Sequence, residues 1–122
     1  MELDKILERF AIISNLSAEE SEKWSPLCEE AWLEITSNLK DGVDQEENAR
    51  RLNSASAALA FYRYILYSTS NSGGAESFAA GELRIKTDTS KMISNAKKVW
   101  QDAKRSIADI LKDENFMFER II

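Results

Sequence analysis

Hydrophobic positions recur at helical spacing near both ends of the chain. In residues 2–13 they fall three or four apart, which predicts a short amphipathic helix. In residues 90–112 the spacing alternates between three and four, which predicts a long helix packed along a partner helix at a shallow angle. The apolar positions of this second seam are Ile93, Ala96, Trp100, Ala103, Ile107 and Ile110.

The segment Leu52–Tyr67 lacks such a one-sided pattern. From Ala55 onward only Ser56 and Arg63 interrupt an apolar or aromatic run, which is too short to cross a bilayer. A helix that is apolar nearly all round is buried on several sides, by its own domain or by a neighbouring subunit. We expect a central helix over residues 45–68, around which the other segments pack.

Three local signals place the starts of helices. They are Ser17 three residues before Glu20, Ser25 before Pro26, and Asp44 three residues before Glu47. The first and third are capping boxes, and proline is favoured at the first position of a helix. They predict helices over 18–24, 26–40 and 45–68, with Asp41-Gly42 closing the second of these.

Residues 69–88 read as a loop followed by an extended arm. Thr69–Ala75 is rich in Ser, Asn and Gly, which is typical of a loop. Residues 81–87 alternate polar and apolar positions with period two, which predicts a short strand or extended arm. Such a strand needs a partner, either the apolar tail 116–122 or another subunit.

Length and composition favour one mainly α domain spanning residues 1–122. The 122 residues are 43% hydrophobic and 30% charged, with one proline and four glycines, which suits long helices. The acidic N-terminal helices occupy residues 2–40. We expect a small helical bundle of four to five helices, with one short strand or extended arm near residues 81–87.

The residue content argues against catalysis. Histidine is absent, which removes the commonest general base and metal ligand. Cys28 is the one cysteine, so no internal disulfide is possible, and the charged N-terminus is unlike a signal peptide. Adjacent carboxylates such as Glu29 and Glu30 point apart on a helix, so we expect them to lie on a solvent-exposed face and not to form a catalytic pair. We expect a non-enzymatic intracellular protein without metal, cofactor or small-molecule substrate.

Charge is divided unevenly along the chain, although the net charge is only −5. Residues 1–48 carry thirteen acidic side chains against four basic ones, net −9, and residues 84–112 carry eight basic against three acidic, net +5. Such halves could face each other inside one fold or across an interface between identical subunits. A phosphate-binding role for Lys97, Lys98, Lys104 and Arg105 is also open. Structural ion pairing is favoured there, because Asp102 and Asp109 share the face and the whole chain is acidic.

The order of features after residue 44 resembles a known family. The helix with Ala57–Tyr64 is followed by the Ser/Gly loop, by Ser77–Ile85, and by a basic-faced helix containing Trp100 and Ala103. Over roughly residues 44–118 this resembles the small head–tail connector proteins (head-completion or adaptor proteins) of tailed bacteriophages, which often occur as prophage genes. Residues 1–43 lie outside the resemblance.

The resemblance implies a mostly helical virion assembly protein. Such subunits form a ring beneath the portal and extend the channel through which DNA leaves the capsid, without sequence-specific binding. The implied partners are further copies and the portal and tail-completion proteins, with no membrane. The implied location is the bacterial cytoplasm during assembly and then the head–tail junction of the virion.

We expect the subunit interface to use aromatic and apolar residues of the central helix, the arm and the tail. These are Phe61, Tyr64, Phe78, Leu83, Ile85, Phe116 and Phe118. Whether Phe61 and Tyr64 face their own core or a neighbour stays open in the sequence. Two alternative functions also stay open: an intracellular helical adaptor or regulatory protein, and a nucleic-acid-binding protein that uses the basic face of residues 84–112.

Overall fold

Five α-helices form a small bundle in the computed structural model, which describes residues 1–70 and 82–112. Side chains are described in residues 1–69 and 89–112. The helices are α1 (Leu3–Ser14), α2 (Ala18–Glu22), α3 (Ser25–Ser37), α4 (Ala49–Ser70) and α5 (Glu82–Ser106), with a 3-10 turn at Ala108–Ile110. No sheet occurs in these residues, so the predicted mainly α fold is confirmed.

Helix α4 is enclosed by the other long helices. It packs against α1, α3 and α5, and α1 also packs on α2 and α3, so α4 separates α5 from the acidic helices. Every residue from Ala55 to Ala60 is buried. Their small alanine and serine side chains let neighbouring helices approach, because the distance between helix axes depends on the side chains at the contact. The predicted burial of this helix is therefore confirmed, and its own chain supplies the cover.

Aromatic and aliphatic side chains from all four long helices fill the core. Fully buried examples are Ile6, Phe10, Ile35, Leu52, Leu59, Trp100 and Ile107. The predicted seam of α5 faces this core, with Ala96, Trp100 and Ile107 buried and the other seam residues partly buried against them. Local hydrophobic spacing thus identified the inward face of α5 correctly.

Polar residues of α4 connect it to individual neighbours. The Asn53 amide nitrogen donates to the Glu2 carboxylate at 2.9 Å, which joins α4 to the start of α1. Arg63 pairs with Glu34 of α3, and both side chains are largely shielded from solvent. Buried Ser56 donates to the carbonyl of Leu52 at 2.7 Å, so its hydroxyl is satisfied within the helix.

A second arginine of α4, Arg51, contacts the end of α5. The Arg51 guanidinium donates to the carbonyl of Ser106 at 2.7 Å and to the carboxylate of Asp109 at 2.5 Å. It also donates to the Asn48 side chain at 3.0 Å. Because Arg51 lies in the first turn of α4, these contacts show that α4 and α5 run antiparallel. The hydrogen bond from Arg51 lowers the pKa of Asp109 below its ordinary value of 3.8.

The capping predictions are partly confirmed. Ser17 and Glu20 form the expected reciprocal capping box, with hydrogen bonds of 3.1 and 3.2 Å. Asp44 accepts from the backbone amides of residues 46 and 47, but a turn intervenes and regular helix begins at Ala49. The prediction of Ser25 as an N-cap is wrong by one residue, because α3 begins at Ser25 itself and Trp24 is its N-cap.

The α3–α4 connection begins earlier than predicted. Helix α3 ends at Ser37, and Gly42 adopts a positive φ of 84° in the turn that follows. Between them an antiparallel bridge joins Leu39 to Leu111, through backbone hydrogen bonds of 2.8 Å on either side. Residues 38–40, which the sequence assigned to the helix, therefore pair through their backbone with residues 110–112, the segment that follows α5.

The predicted strand or extended arm at residues 81–87 is wrong from Glu82 onward, where the backbone is the start of α5. Glu, Leu, Arg and Lys dominate this stretch and favour helix. Extending an existing helix also gains one hydrogen bond for each residue fixed. At its other end α5 stops at Ser106, short of the predicted 112. The predicted loop begins too early, because α4 continues through Thr69 to Ser70. The rest of that predicted loop, Gly81 and the tail 116–122 lie outside the described residues.

Two isoleucines of α1 provide a matched test of this packing. Ile6 is fully buried, whereas Ile12 on the same helix is 74% exposed. We expect Ile6→Ala to lower the free energy of unfolding by about 2–5 kcal/mol, because it leaves a cavity. Ile12→Ala should change it by less than about 0.5 kcal/mol. Urea denaturation followed by circular dichroism measures both values, and equal losses would contradict the packing described.

The Arg51–Asp109 contact predicts a specific dependence on pH. A carboxyl whose pKa is lowered in the folded state adds stability above its unfolded pKa, and that stability is lost as pH falls through the folded pKa. We expect Asp109→Asn to be less stable than the parent near neutral pH and the difference to shrink in acid. Asp102→Asn is the control, because the exposed Asp102–Arg105 pair is longer, at 3.5 Å. A constant difference across the pH series of urea denaturations would contradict the prediction.

Candidate protein-interaction site

Two oppositely charged surfaces lie on the outside of the bundle. The first, the α2–α3 acidic surface, is defined by the charged residues of α2, Lys23 and the first half of α3, five carboxylates and one lysine in all, together with Leu33 of α3, which is 58% exposed. Its charged residues are Glu19, Glu20, Glu22, Lys23, Glu29 and Glu30. All are exposed except the half-buried Glu29, and the Glu20 carboxylate also accepts the Ser17 backbone N–H of the capping box.

The second, the α5 basic surface, follows the solvent face of α5. It consists of Lys91, Met92, Ser94, Asn95, Lys98, Asp102 and Arg105, all of them exposed. Lys91, Ser94, Asn95 and Lys98 line a shallow depression of about 370 Å³. Met92 is 45% exposed, so the surface combines cations, amide and hydroxyl groups with one apolar side chain.

The bundle keeps these two surfaces apart. Helix α4 lies between α5 and the acidic helices, and α5 has no substantial packing against α2 or α3 in the described residues. The sequence left open whether the acidic and basic parts meet inside one fold. Within one chain the helix of the basic surface and the helices of the acidic surface therefore do not pack substantially on each other.

The cations exposed on α5 differ from those that the sequence predicted. Lys104 was grouped with Lys97, Lys98 and Arg105, but it is 6% exposed and lies on the inward side of α5. It follows Trp100 by four residues, which places both on one side of the helix. Lys97 is half-buried. Among residues 89–106, where the side chains of α5 are described, the exposed cations are Lys91, Lys98 and Arg105, which are spaced seven apart.

The predicted interface residues fall into different parts of the molecule. Phe61 is half-buried against the core. The Tyr64 ring packs edge-on against Phe10 and Trp24, with centroid distances of 5.7 and 4.8 Å, so it contributes to its own core. Leu83 and Ile85 belong to the first turns of α5, and Phe78, Phe116 and Phe118 lie outside the described residues.

A groove of about 620 Å³ between α1 and the start of α4 was not foreseen from the sequence. Its lining has mixed charge, including Glu2, Lys5, Arg9 and Arg50. Glu2 accepts from Asn53 and pairs with Lys5 at 3.0 Å. The hydrogen bond from Asn53 is the main cause of the lowered pKa of Glu2, and the hydrogen bond to Glu2 raises the pKa of Lys5. The charges of Glu2 and Lys5 are therefore committed to contacts within the chain.

Other chemical features of the described residues are few. No cluster of three or more Asp, Glu or Cys side chains with metal-binding geometry occurs among them. None of their helices is both long enough and apolar enough to span a membrane. Cys28 is fully buried on α3, and burial raises the pKa of its thiol to about 12, with the charge of Glu29 acting in the same direction.

Comparison with known proteins yields no relative: no protein-family model matches the chain, and no curated protein or solved structure shows significant similarity to it.

The environment of Cys28 predicts an inert thiol in the folded protein. A buried thiol with a raised pKa is a poor nucleophile, because the thiolate is the reactive form. We expect an aromatic disulfide reagent to label Cys28 only as fast as the chain unfolds, and at once in denaturant. A Cys28→Ser, Ser37→Cys variant is the control, since Ser37 is exposed and should react immediately. Rapid labelling of the folded parent would contradict the burial described.

Proposed function

We propose that this chain is a non-enzymatic structural protein of a tailed phage or prophage, and that it joins head and tail by forming a ring at the portal. The proposal takes the virion context from the resemblance over residues 44–118. The observation that carries the assembly mode is the separation of the acidic and basic surfaces, since α3 and α5 each pack on α4 and not substantially on each other. DNA would pass through the ring without sequence-specific binding.

Two separate surfaces of opposite charge on one subunit are suited to a head-to-tail contact between subunits. When one surface of a subunit binds a different surface of the next, each added subunit leaves the same two surfaces unfilled at the ends. Such a heterologous contact closes into a ring if the rotation between subunits divides a full turn, and otherwise gives a filament. The portal and tail-completion proteins would then bind the two faces of the closed ring.

The bundle also narrows the surfaces available for association. The sequence left open whether the central helix is covered by its own domain or by a neighbouring subunit. Because α1, α3 and α5 cover it, α4 has no apolar side left for a subunit contact between Ala55 and Ala60. The proposal therefore depends on the outer surfaces of α2, α3 and α5.

The proposed function predicts reversible self-association. We expect sedimentation velocity to show a monomer at low concentration and larger species as concentration rises. Charged contacts are screened by salt, so high ionic strength should weaken this association. The same measurement with a portal protein encoded in the same genome should show a joint complex. A monomer at every concentration, with no complex on adding that portal protein, would contradict the proposed function.

A further inference from the structure

We infer that the α5 basic surface of one copy binds the α2–α3 acidic surface of the next copy. This inference rests on the proposed function and names the two sides of its subunit contact. It commits to a second copy of the chain as the occupant of both surfaces. The charges of the two surfaces, the spacing of the cations on α5 and the position of α4 between the helices support this contact.

The cations of the α5 basic surface form a regular stripe. Lys91, Lys98 and Arg105 are seven residues apart, so they lie along one side of the helix over roughly 21 Å. Asn95 and Ser94 lie between the first two cations and supply hydrogen-bonding groups. Exposed Met92 adds apolar area at the same end of α5. A stripe of this composition fits a protein surface with carboxylates around an apolar side chain.

The α2–α3 acidic surface has that composition. Glu30 and Leu33 are exposed one turn apart on α3, with half-buried Glu29 beside them. Glu19, Glu20 and Glu22 extend the negative charge along α2, directly before α3 in the chain. Leu33 could contact Met92 of the next copy while the carboxylates surround the lysines.

The two surfaces of one chain cannot bind each other. Because α4 stands between α5 and the acidic helices, the two surfaces meet only when two copies come together. The contact is heterologous, since neither surface is complementary to itself, and each bound copy presents a further pair of unfilled surfaces.

Nucleic acid is a poorer occupant of the α5 basic surface. Asp102 lies within the stripe, 3.5 Å from Arg105, and would repel phosphates. Lys104, which the sequence grouped with this face, is buried. The whole chain has a net charge of −5, whereas nucleic-acid-binding domains usually carry a basic excess.

Charge reversal on each surface tests the inference. The first variant combines Lys91→Glu with Lys98→Glu, and the second combines Glu22→Lys with Glu30→Lys. We expect each variant alone to associate at least about tenfold more weakly than the parent, because like charges then face each other. A Lys40→Glu, Arg50→Glu variant is the control, since it makes the first variant's charge change at exposed positions off both surfaces. Circular dichroism verifies that every variant is folded.

Mixing the two reversed variants gives the decisive measurement. In an equimolar mixture each reversed surface finds its complement on the other variant, so association should return to near the parent level. Native mass spectrometry should then show the two variants in equal numbers, as alternation requires. Recovery by mixing is not expected if the substitutions merely damage the fold.

The outcomes separate the inference from the proposed function. If the parent associates and neither variant weakens it beyond the control, the inference is wrong and the proposed function stands. If the parent never associates, the proposed function fails and the inference with it. If Lys91→Glu with Lys98→Glu abolishes binding to a duplex DNA oligonucleotide and leaves self-association unchanged, the α5 basic surface is a nucleic-acid site and the inference is overturned.

Discussion

Enclosure of α4 is the constraint on which the rest of the structure depends. A helix that is apolar on all sides is stable in water only if several neighbours cover it. The alanines between Ala55 and Ala60 are too small to hold those neighbours apart, so close packing of α1, α3 and α5 follows. Polar side chains then select each neighbour's position, since a buried polar group without a partner is costly.

The polar contacts join α4 to each neighbour at a defined position along the helix. Apolar contacts tolerate small shifts along a helix, whereas a hydrogen bond requires two particular atoms to meet. Asn53 sets α1 through Glu2, Arg63 sets α3 through Glu34, and Arg51 holds the end of α5. The three residues are polar interruptions in or beside the most apolar stretch of the chain, and each is used by a different neighbour.

Sequence reasoning succeeded where the signal is local. The capping box at Ser17 and the inward seam of α5 depend on residues within one or two turns, and both are present. The predicted strand at residues 82–87 is wrong, because helix propensity and the extension of a long helix outweigh a short alternating pattern. The Leu39–Leu111 bridge and the groove beside α1 depend on which distant segments pair, and no local pattern encodes that. The sequence grouped Lys97 and Lys104 with the exposed cations of α5, although Lys97 is half-buried and Lys104 is buried, because charge alone does not show which side of a helix faces the core.

Because α4 is covered by its own chain, contacts between copies would have to use the outer surfaces of other helices. Among the described residues, the exposed surfaces of α2, α3 and α5 are mostly charged, and individual exposed ion pairs contribute only about 0–1 kcal/mol. One contact of this kind would be weak and reversible. Closing a ring changes the balance, because the last contact forms between subunits already held together and benefits from their high effective concentration. Weak separate contacts with a stable closed product would let misplaced subunits dissociate before the ring is completed. A charged contact that repeats around a ring therefore suits assembly better than an apolar one, which would hold its first partner in whatever arrangement it met.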